Sequence, residues 1–275
     1  MNKAGAKARI DALRKEINYH RYQYHVLDKQ EISDSVLDTL KHELKTLEDA
    51  NPEFISADSP TQRVGGAVKG GFKKVKHAEP MLSLEDVFSK EEAEEWLKRI
   101  GRLGLSRPEL FCEVKMDGLA ASLLYVDGCL SKAATRGDGK IGEDVTHNVR
   151  TIDAIPLALR EPDKKELAHL KSLGVSDDVL EKIANASSLT IEMRGEMYFP
   201  KDAFDAFNKN EVKEGREAFA NPRNAAAGTI RQIDPKVSAT RGLAFYGYAL
   251  ISDLVFTTHE QEHEVMRVLG IPVNS

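Results

Sequence analysis

The sequence is poor in cysteine and in long apolar runs, and each shortage excludes a class of protein. The only cysteines among its 275 residues are Cys112 and Cys129, without CxxC spacing or a neighbouring cluster of histidines and cysteines. Neither a disulfide framework nor a zinc site is therefore expected. No other set of metal-binding residues stands out in the sequence. Both thiols are predicted to be buried.

Long apolar segments are lacking as well. No stretch approaches the ~20 apolar residues that a membrane-spanning helix requires, and the first residues, MNKAGAKARIDALRKEI, lack the apolar core of a secretory signal. We therefore expect a cytoplasmic protein without a membrane partner.

An excess of positive charge is also missing. The formal net charge is -5, which argues against a uniformly basic nucleic-acid-binding surface, although a local run such as KGGFKKVKH leaves room for a phosphate-facing patch. A hydrophobic content of 41% with 30% charged residues is that of an ordinary globular protein. The chain is long enough for one large domain or two modest ones.

The N-terminal part has the periodicity of two helices. Ile10 and Leu13 begin an apolar stripe with a 3.6-residue period, and Leu40 and Leu44 continue such a stripe after a break. The stretch NPEFISADSPTQRVGG then ends the second helix, because proline, serine and glycine favour turns. We place a domain boundary near Gly70, so that residues 1–70 are predicted to form a small helical module.

After this boundary the periodicity changes to that of strands. The strand-like segments are FCEVKM, ASLLYV, CLSKAATR, LTIEMRGEMYF and LAFYGYAL, and the Asp-Gly pair of VDGC predicts a hairpin turn. Helical patterns lie between and beside them, in KEEAEEWLKRIGRL, KDAFDAFNKNEV and HEQEHEVMRVLG. This mixture predicts an α+β domain over 71–275, with mainly antiparallel sheets flanked by helices.

The stretch CEVKMDGLAA places a lysine between two carboxylates. As a strand, it would put Glu113, Lys115 and Asp117 on one side, and Gly118 would permit a tight turn or a close backbone approach. The ordinary explanation is a solvated strand face with alternating charges. The chemical explanation is a nucleophilic lysine, and such an amine needs burial or nearby cations to attack at neutral pH. Four arginines in strand and turn contexts are candidates for those cations: Arg136, Arg194, Arg223 and Arg231.

The segment EVKMDGLA resembles the K-x-D-G signature of the covalent nucleotidyltransferases, which are the DNA ligases, RNA ligases and mRNA capping enzymes. The signature alone does not choose among them. Four further segments, PMLSLEDVF, TRGDGKIGEDVTHNVRTI, EMRGEMYFP and FANPRNAAAGTIRQIDP, are similar in order and spacing to the adenylation domain of the bacterial NAD-dependent DNA ligases. These matches cover nearly the whole chain. The helical hairpin also fits, since that family carries a small N-terminal module for the nicotinamide mononucleotide (NMN) half of NAD.

The resemblance implies roles for the matching residues of the adenylation domain. Lys115 attacks the adenylyl phosphate of NAD, forms lysyl-AMP and releases NMN. The residues implied to surround the adenosine are Ser83, Leu84, Glu113, Arg136, Glu196 and Tyr248. Among these, Glu113 faces adenine, Glu196 binds the ribose and Tyr248 stacks on the base. Arg223 and Arg231 match positions close to phosphates or the DNA backbone.

In the helical module, the implied NMN-binding residues are Tyr24, His25, Asp34, Leu37 and Asp38. The family usually has a tyrosine where this chain has Leu37, so a ring that stacks or donates a hydroxyl group is lost there. Either the leucine packs against the nicotinamide, or Tyr22 or Tyr24 takes over the role of the tyrosine.

The resemblance also implies that this sequence is part of a longer parent enzyme. The family's adenylation domain continues past GIPVNS to two further lysines, then to an OB-fold, a zinc module, helix-hairpin-helix repeats and a BRCT domain. We therefore expect a fragment, incomplete at its C-terminal end, that does not seal DNA alone. Whether residue 275 is a natural end stays open. For the parent enzyme, the resemblance implies nick sealing in DNA replication and repair, with nicked double-stranded DNA as the partner. It also implies magnesium bound through phosphates and water, and zinc only in the C-terminal part. The parent is expected to be a monomer.

Two other interpretations stay open. A catalytically incomplete module would bind NAD or AMP without forming a covalent adduct. An ATP-using ligase or capping-enzyme relative would form the adduct with ATP and not with NAD, although the helical hairpin argues against this interpretation.

Overall fold

The computed structural model describes residues 2–64, 71–104 and 108–274, and the predicted boundary near Gly70 lies outside these ranges. The helices in them are α1 (Lys3–His25), α2 (Asp34–Ala50), α3 (Lys90–Arg102), α4 (Thr146–Val149), α5 (Lys164–Ser172), α6 (Asp177–Ala184), α7 (Lys201–Lys213), α8 (Pro222–Ile230), α9 (Pro235–Ala239) and α10 (His259–Val268). The strands are β1 (Lys74–Lys76), β2 (Leu119–Val126), β3 (Cys129–Thr135), β4 (Ile141–Glu143), β5 (Ile191–Tyr198) and β6 (Ala244–Ile251).

The predicted helical hairpin is confirmed as α1 and α2. Ile10, Leu13 and Ile17 of α1 are fully buried against Leu44 of α2, as their period requires. Helix α2 begins after Ser33, which occupies the N-cap position. In the described ranges, no helix has both the length and the apolar character needed to span a bilayer.

The predicted antiparallel architecture is also confirmed. Four strands form a sheet in the order β3-β2-β5-β6, and β1 pairs with β4; every pair in both sheets is antiparallel. Alternate residues of a strand face opposite sides. On β5, Met193 and Met197 therefore enter the main core, while Glu192, Arg194 and Glu196 lie on the opposite face. The fold thus gives the sheet a charged face on which a polar site can be built.

The turn of VDGC has the predicted hairpin geometry. Asp127 and Gly128 both have positive φ, 49° and 68°, as the tight turns that suit twisted hairpins require. A Cβ atom at Gly128 would lie 2.6 Å from the backbone oxygen of Ala186. Only glycine therefore fits between β2 and β3.

The prediction of a strand at FCEVKM is wrong. Residues 108–117 are all described and contain no strand, and β2 begins at Leu119. Side-chain contacts hold this segment instead of a backbone ladder; Asn274 Nδ2, for example, donates to the Val114 carbonyl at 2.9 Å. Glu113 pairs with histidines of α10 and Asp117 with Arg223, so Glu113, Lys115 and Asp117 do not share one strand face.

The prediction that both cysteines are buried is wrong as well. Cys112 and Cys129 are exposed. Cys112 lies in the strandless segment, and Cys129 begins β3 with its side chain on the solvent side.

The helical hairpin is docked on the rest of the chain by buried polar contacts. The guanidinium group of Arg63 donates to the carbonyls of Arg150, Ile152 and Ile155 at 2.9, 3.0 and 2.9 Å. Tyr22 Oη donates to Glu166 Oε1 at 3.0 Å. Hydrogen bonds to buried carbonyls are costly to leave unmade, so Arg63 fixes the segment after α2 to the loop that follows α4, and Tyr22 joins α1 to α5.

Candidate functional site

The five residues expected to bind NMN line one cavity at an end of the helical hairpin. The cavity has a volume of about 190 Å³, and its walls include Tyr24, His25, Asp34, Leu37 and Asp38. Tyr24 and His25 come from the last turn of α1, whereas the other three come from the first two turns of α2. Spacings of three and four residues put those three on one helix face. The structure thus brings all five together.

Five charged residues of the same cavity are not predicted by the sequence: Arg21, Lys29, Glu31, Lys41 and Asp153. Lys41 Nζ lies 3.8 Å from Asp38 Oδ1 and 3.6 Å from Asp153 Oδ2. Because Lys41 is three residues after Asp38 on α2, helical spacing was an available signal for it. Asp153 comes from a loop far along the chain, and no local pattern points to it.

The charge of Asp153 is fixed by its neighbours. Burial alone would raise the pKa of this carboxyl group, but the guanidinium groups of Arg21 and Arg63 outweigh burial and hold the pKa at about 2. Their Nε atoms lie 3.9 and 3.6 Å from Asp153 Oδ1. Together with Lys41, three cations therefore surround the Asp153 carboxylate, and the local positive charge at this side of the cavity suits a phosphate group.

His25 is kept neutral by the same cavity. Burial, followed by the positive charge of Arg21, lowers the pKa of His25 from 6.5 to about 4. The unfolded chain takes up this proton near pH 6.5, whereas the folded chain resists it until about pH 4, so stability falls as the pH drops through that window. We expect the free energy of unfolding, measured in urea, to lose roughly 2 kcal/mol between pH 7.5 and 4.5 through His25. His25→Asn should remove this part of the slope.

The matched control for that prediction is His42→Asn, because His42 is exposed on α2 and away from the cavity. The free energy of unfolding of His42→Asn should depend on pH in the same way as that of the unmodified chain. Equal slopes for His25→Asn and the unmodified chain would contradict the assignment of a half-buried, neutral imidazole.

Lys115 lies in the extended segment before β2 and is exposed. Near it along the chain, Asp117 Oδ1 accepts a hydrogen bond from Arg223 Nη1 at 3.1 Å. This ion pair ties the segment to α8 and brings a guanidinium group to the neighbourhood of the lysine.

The close approach expected at Gly118 is present. The Gly118 N–H donates to Glu196 Oε1 at 3.1 Å, and a Cβ atom at this position would lie only 2.1 Å from the Met197 backbone oxygen. The chain therefore passes β5 at a distance that only glycine permits. This contact sets the position of Lys115 relative to the end of β5.

Glu196, on β5, is the carboxylate on which the charges near Lys115 act. Burial raises the pKa of Glu196, and the rise is opposed by the Gly118 N–H and by three cations, Lys115, Arg223 and Arg136. Burial and then the negative charge of Glu196 raise the pKa of Tyr248 on β6. The charges of the predicted lysine and of two of the arginines thus act on Glu196, and Glu196 in turn acts on the predicted tyrosine.

The two residues predicted from the segment MLSLED differ in their surroundings. Ser83 Oγ accepts a hydrogen bond from Arg136 Nη1 at 3.0 Å, and Arg194 Nη1 holds the nearby Pro80 carbonyl at 2.9 Å. Leu84, in contrast, is 78% exposed. Ser83 thus joins the group around Glu196, whereas Leu84 faces solvent.

The four candidate arginines do not all surround the lysine. Arg194 Nε is bonded to Glu192 Oε1 at 2.7 Å, and Arg231 Nε is bonded to Glu143 Oε2 at 3.0 Å. Arg136 and Arg223 are the two that act on Glu196 together with the lysine.

Glu113 contacts two histidines of α10. Its Oε2 lies 3.2 Å from His259 Nε2, and its Oε1 lies 3.2 Å from His263 Nε2. This pairing is not predicted by the sequence, although the H-x-x-x-H spacing in HEQEH put both rings on one face of a predicted helix. Which distant carboxylate meets that face is a matter of tertiary structure.

A helical hairpin that gathers cations around a cavity, joined to an antiparallel sheet with a K-x-D-G lysine beside it, is the organisation of the nucleotidyltransferases that use NAD. Comparison with known families agrees. The model described as "NAD-dependent DNA ligase adenylation domain" matches residues 69–174 and 170–275, and the model described as "DNA ligase-like, N-terminal NAD+-binding domain" matches residues 3–65. The chain belongs to the NAD-dependent DNA ligase adenylation-domain family, which confirms the resemblance found in the sequence.

Two curated relatives illustrate the similarity. The DNA ligase of Lysinibacillus sphaericus (strain C3-41) is 43% identical over 269 residues, which is 97% of this chain and 36% of the relative. The DNA ligase of Koribacter versatilis (strain Ellin345) is 42% identical over 266 residues, 96% of this chain and 37% of the relative. The chain thus spans little more than a third of the length of these relatives.

Proposed function

We propose that this chain is the NAD-reading, adenylate-forming part of a DNA ligase, with an NMN-binding module over residues 1–70 and an adenylation domain over 71–275. The observation that carries the proposal is that the segment holding Lys115 is tied to Glu196 by the Gly118 N–H and to Arg223 through Asp117. A lysine among guanidinium groups is suited to attack a phosphate, since such reactions depend on positioning and on neutralising phosphate charge.

In the proposed reaction, the unprotonated Nζ of Lys115 attacks the adenylyl phosphorus of NAD. An N–P bond forms, the P–O bond of the phosphoanhydride breaks, and NMN leaves with the bonding electron pair. The proton lost from Nζ passes to solvent, to which Lys115 is open. Arg136 and Arg223 offset the negative charge that builds up on the phosphate oxygens.

The adenosine half has candidate partners on the sheet. Glu196 Oε1 accepts from the Gly118 N–H, so Oε2 is the oxygen we assign to a ribose hydroxyl. The ring of Tyr248 offers an aromatic face for the adenine, and stacking of a base on such a ring is worth about 1–3 kcal/mol.

The NMN half is assigned to the cavity of the helical hairpin. In the described chain, the buried Nε of Arg21 has no hydrogen-bond partner, which leaves a cationic donor for the NMN phosphate. Asp34 and Asp38 attract the positively charged nicotinamide ring. His25, neutral at pH 7 because its pKa is about 4, adds a polar contact without charge.

Replacing Leu37 by tyrosine tests the assignment of this cavity. Leu37 lines the wall where the family usually has an aromatic ring. We expect Leu37→Tyr to tighten NAD binding roughly threefold to tenfold in calorimetry, because a stacked aromatic pair contributes about 0.5–1.5 kcal/mol. Val36→Tyr is the matched control, because Val36 is 46% exposed and is not among the residues that line the cavity. An equal gain for both variants would count against this location for NMN.

For the whole protein, we propose nick sealing in DNA replication and repair, with nicked double-stranded DNA as partner, a monomeric state and a cytoplasmic location. The support is that both relatives are named DNA ligases.

We propose Mg²⁺ as the metal ion, bound mainly through the phosphates of NAD and water, as this ion prefers. Asp117 and Glu196 are the carboxylates near Lys115 that would contact its water ligands.

The experiment that tests the proposed function is an intact-mass measurement of the chain after incubation with NAD and Mg²⁺, or with ATP and Mg²⁺. We expect a mass increase of one AMP with NAD and no increase with ATP. An adduct with ATP alone would favour an ATP-using relative. Saturable NAD binding in calorimetry without any mass increase would favour a binding module without turnover, and would contradict the proposal.

A further inference from the structure

Glu113, His259 and His263 place three ligand atoms at one point, all within 4.8 Å of one another. From this geometry we infer that the three residues form a binding site for a divalent transition-metal ion of the zinc type, with water completing the coordination. The site departs from the expectation that the sequence holds no metal-ligand set, because its carboxylate and its imidazoles are far apart along the chain.

The distances between the ligand atoms fit one shared ion. Two ligand atoms that are each about 2.0–2.1 Å from a tetrahedral zinc ion lie about 3.3–3.4 Å apart. The separations from Glu113 to His259 Nε2 and to His263 Nε2 are both 3.2 Å. The two imidazole rings, one helical turn apart on α10, have centroids 4.4 Å apart. A small movement of the side chains therefore suffices to place an ion between them.

His263 gives an independent reason to expect a ligand. It is only 3% exposed, and within the described ranges neither of its ring nitrogens makes a hydrogen bond of good geometry, the Tyr248 backbone being a poorly aligned neighbour. A buried polar group without a partner costs about 1–3 kcal/mol. Because Nε2 of His263 lies 3.2 Å from Glu113 Oε1 without forming a hydrogen bond to it, a metal ion between the two, reached by a small rotation of the ring, would satisfy the nitrogen.

His259 is oriented as metal-binding histidines are. Its Nδ1 lies 3.0 Å from Glu262 Oε2, so the Nδ1–H of a neutral ring donates to that carboxylate and Nε2 carries the lone pair. Carboxylates of this kind fix the ring and raise its basicity in metal sites. In the protonated ring, Nε2–H donates instead to Glu113 Oε2, 3.2 Å away, and a metal ion would replace that proton between the same nitrogen and oxygen.

The nature of the ligands selects the class of ion. Two imidazole nitrogens and one carboxylate suit Zn²⁺, Co²⁺ or Ni²⁺, whereas Mg²⁺ requires oxygen ligands. Phe111 closes one side, with its ring 5.2 and 5.0 Å from the centroids of His259 and His263. The His259 side chain is 34% exposed, which leaves a route for the ion and for a water ligand.

Metal binding here has a consequence that rests on the proposed function. Glu113 is the carboxylate implied to face adenine, and a metal ion would withdraw it from that role. We therefore expect Zn²⁺ to slow adduct formation with NAD in the unmodified chain and to have little effect on His259→Gln. Binding of the metal itself is measured without NAD, so its outcome does not depend on the proposed function.

The test is titration of the chain, free of NAD, with ZnCl₂ in calorimetry and with CoCl₂ in visible absorption. We expect one ion per chain, the intense absorption bands of tetrahedral Co²⁺, and no binding of MgCl₂ to the same site. His259→Gln and Glu113→Gln should each weaken binding at least tenfold, since even the loss of an orienting partner costs about 10- to 100-fold. Glu262→Gln should weaken it by about tenfold.

Two further measurements keep the test decisive. His42→Gln, at an exposed histidine of α2, should leave the affinity and the absorption bands unchanged. Circular dichroism of His259→Gln checks its folding, which we expect to be intact because His259 is partly exposed. No binding of either ion, or equal losses in His42→Gln and His259→Gln, would overturn the proposal and leave the three residues as ion pairs only.

Discussion

Lys115→Ala is expected to abolish the AMP adduct that forms with NAD. The variant removes the only atom that we assign to the N–P bond, and loss of a nucleophile typically lowers the rate by at least about a thousandfold. Lys115→Arg should be equally inactive, because a guanidinium group keeps the positive charge but stays protonated and is a poor nucleophile. The measurement is intact mass after incubation with NAD and Mg²⁺.

The controls for this prediction separate chemistry from folding. Lys132→Ala, at an exposed lysine of β3, should form the adduct at the unmodified rate. Lys115→Ala should still bind NAD within a few-fold of the unmodified affinity, since Lys115 makes its main contribution to the bond that forms. An adduct that persists in Lys115→Ala would refute the assignment of the nucleophile.

Gly118→Ala is expected to lower the rate of adduct formation by about a hundredfold or more, because a shift of about 1 Å at a reacting group costs that much. The added Cβ would lie 2.1 Å from the Met197 oxygen, so the segment that carries Lys115 must move away from β5. This movement breaks the hydrogen bond from the Gly118 N–H to Glu196. We also expect a loss of about 1–3 kcal/mol in the free energy of unfolding, as for other overpacked positions.

Gly101→Ala is the matched control for that variant. A Cβ atom at Gly101, in α3, meets nothing within 4 Å, and alanine is favoured over glycine in a helix by about 1 kcal/mol. Gly101→Ala should therefore react at the unmodified rate and be slightly more stable in urea. A fast reaction in Gly118→Ala would show that the close approach to β5 does not position the lysine.

The parts of the fold that local chemistry determines are predictable from the sequence. The stripe of Ile10, Leu13 and Ile17 indicates α1 because each contact repeats within one helix. The Asp-Gly pair at residues 127 and 128 indicates the hairpin because both positions have positive φ. The same reasoning places Asp34, Leu37 and Asp38 on one face of α2.

The parts that depend on distant contacts are not predictable in this way. The alternation of FCEVKM is typical of a strand, yet the segment is held by side chains from elsewhere, including Asn274 and Arg223. Asp153 enters the cavity at the end of the helical hairpin from a loop, and Glu113 meets α10 across 146 residues of sequence. No local period contains these partners, because each arises only when the elements pack.

The most direct test of the central assignment is to locate the AMP group within the chain. After incubation with NAD and Mg²⁺, the protein is digested and the peptide that contains residues 113–118 is sequenced by tandem mass spectrometry under conditions that preserve an N–P bond. We expect the added mass on Lys115 alone. AMP attached to another lysine, or to a histidine such as His259 beside Glu113, would contradict the account.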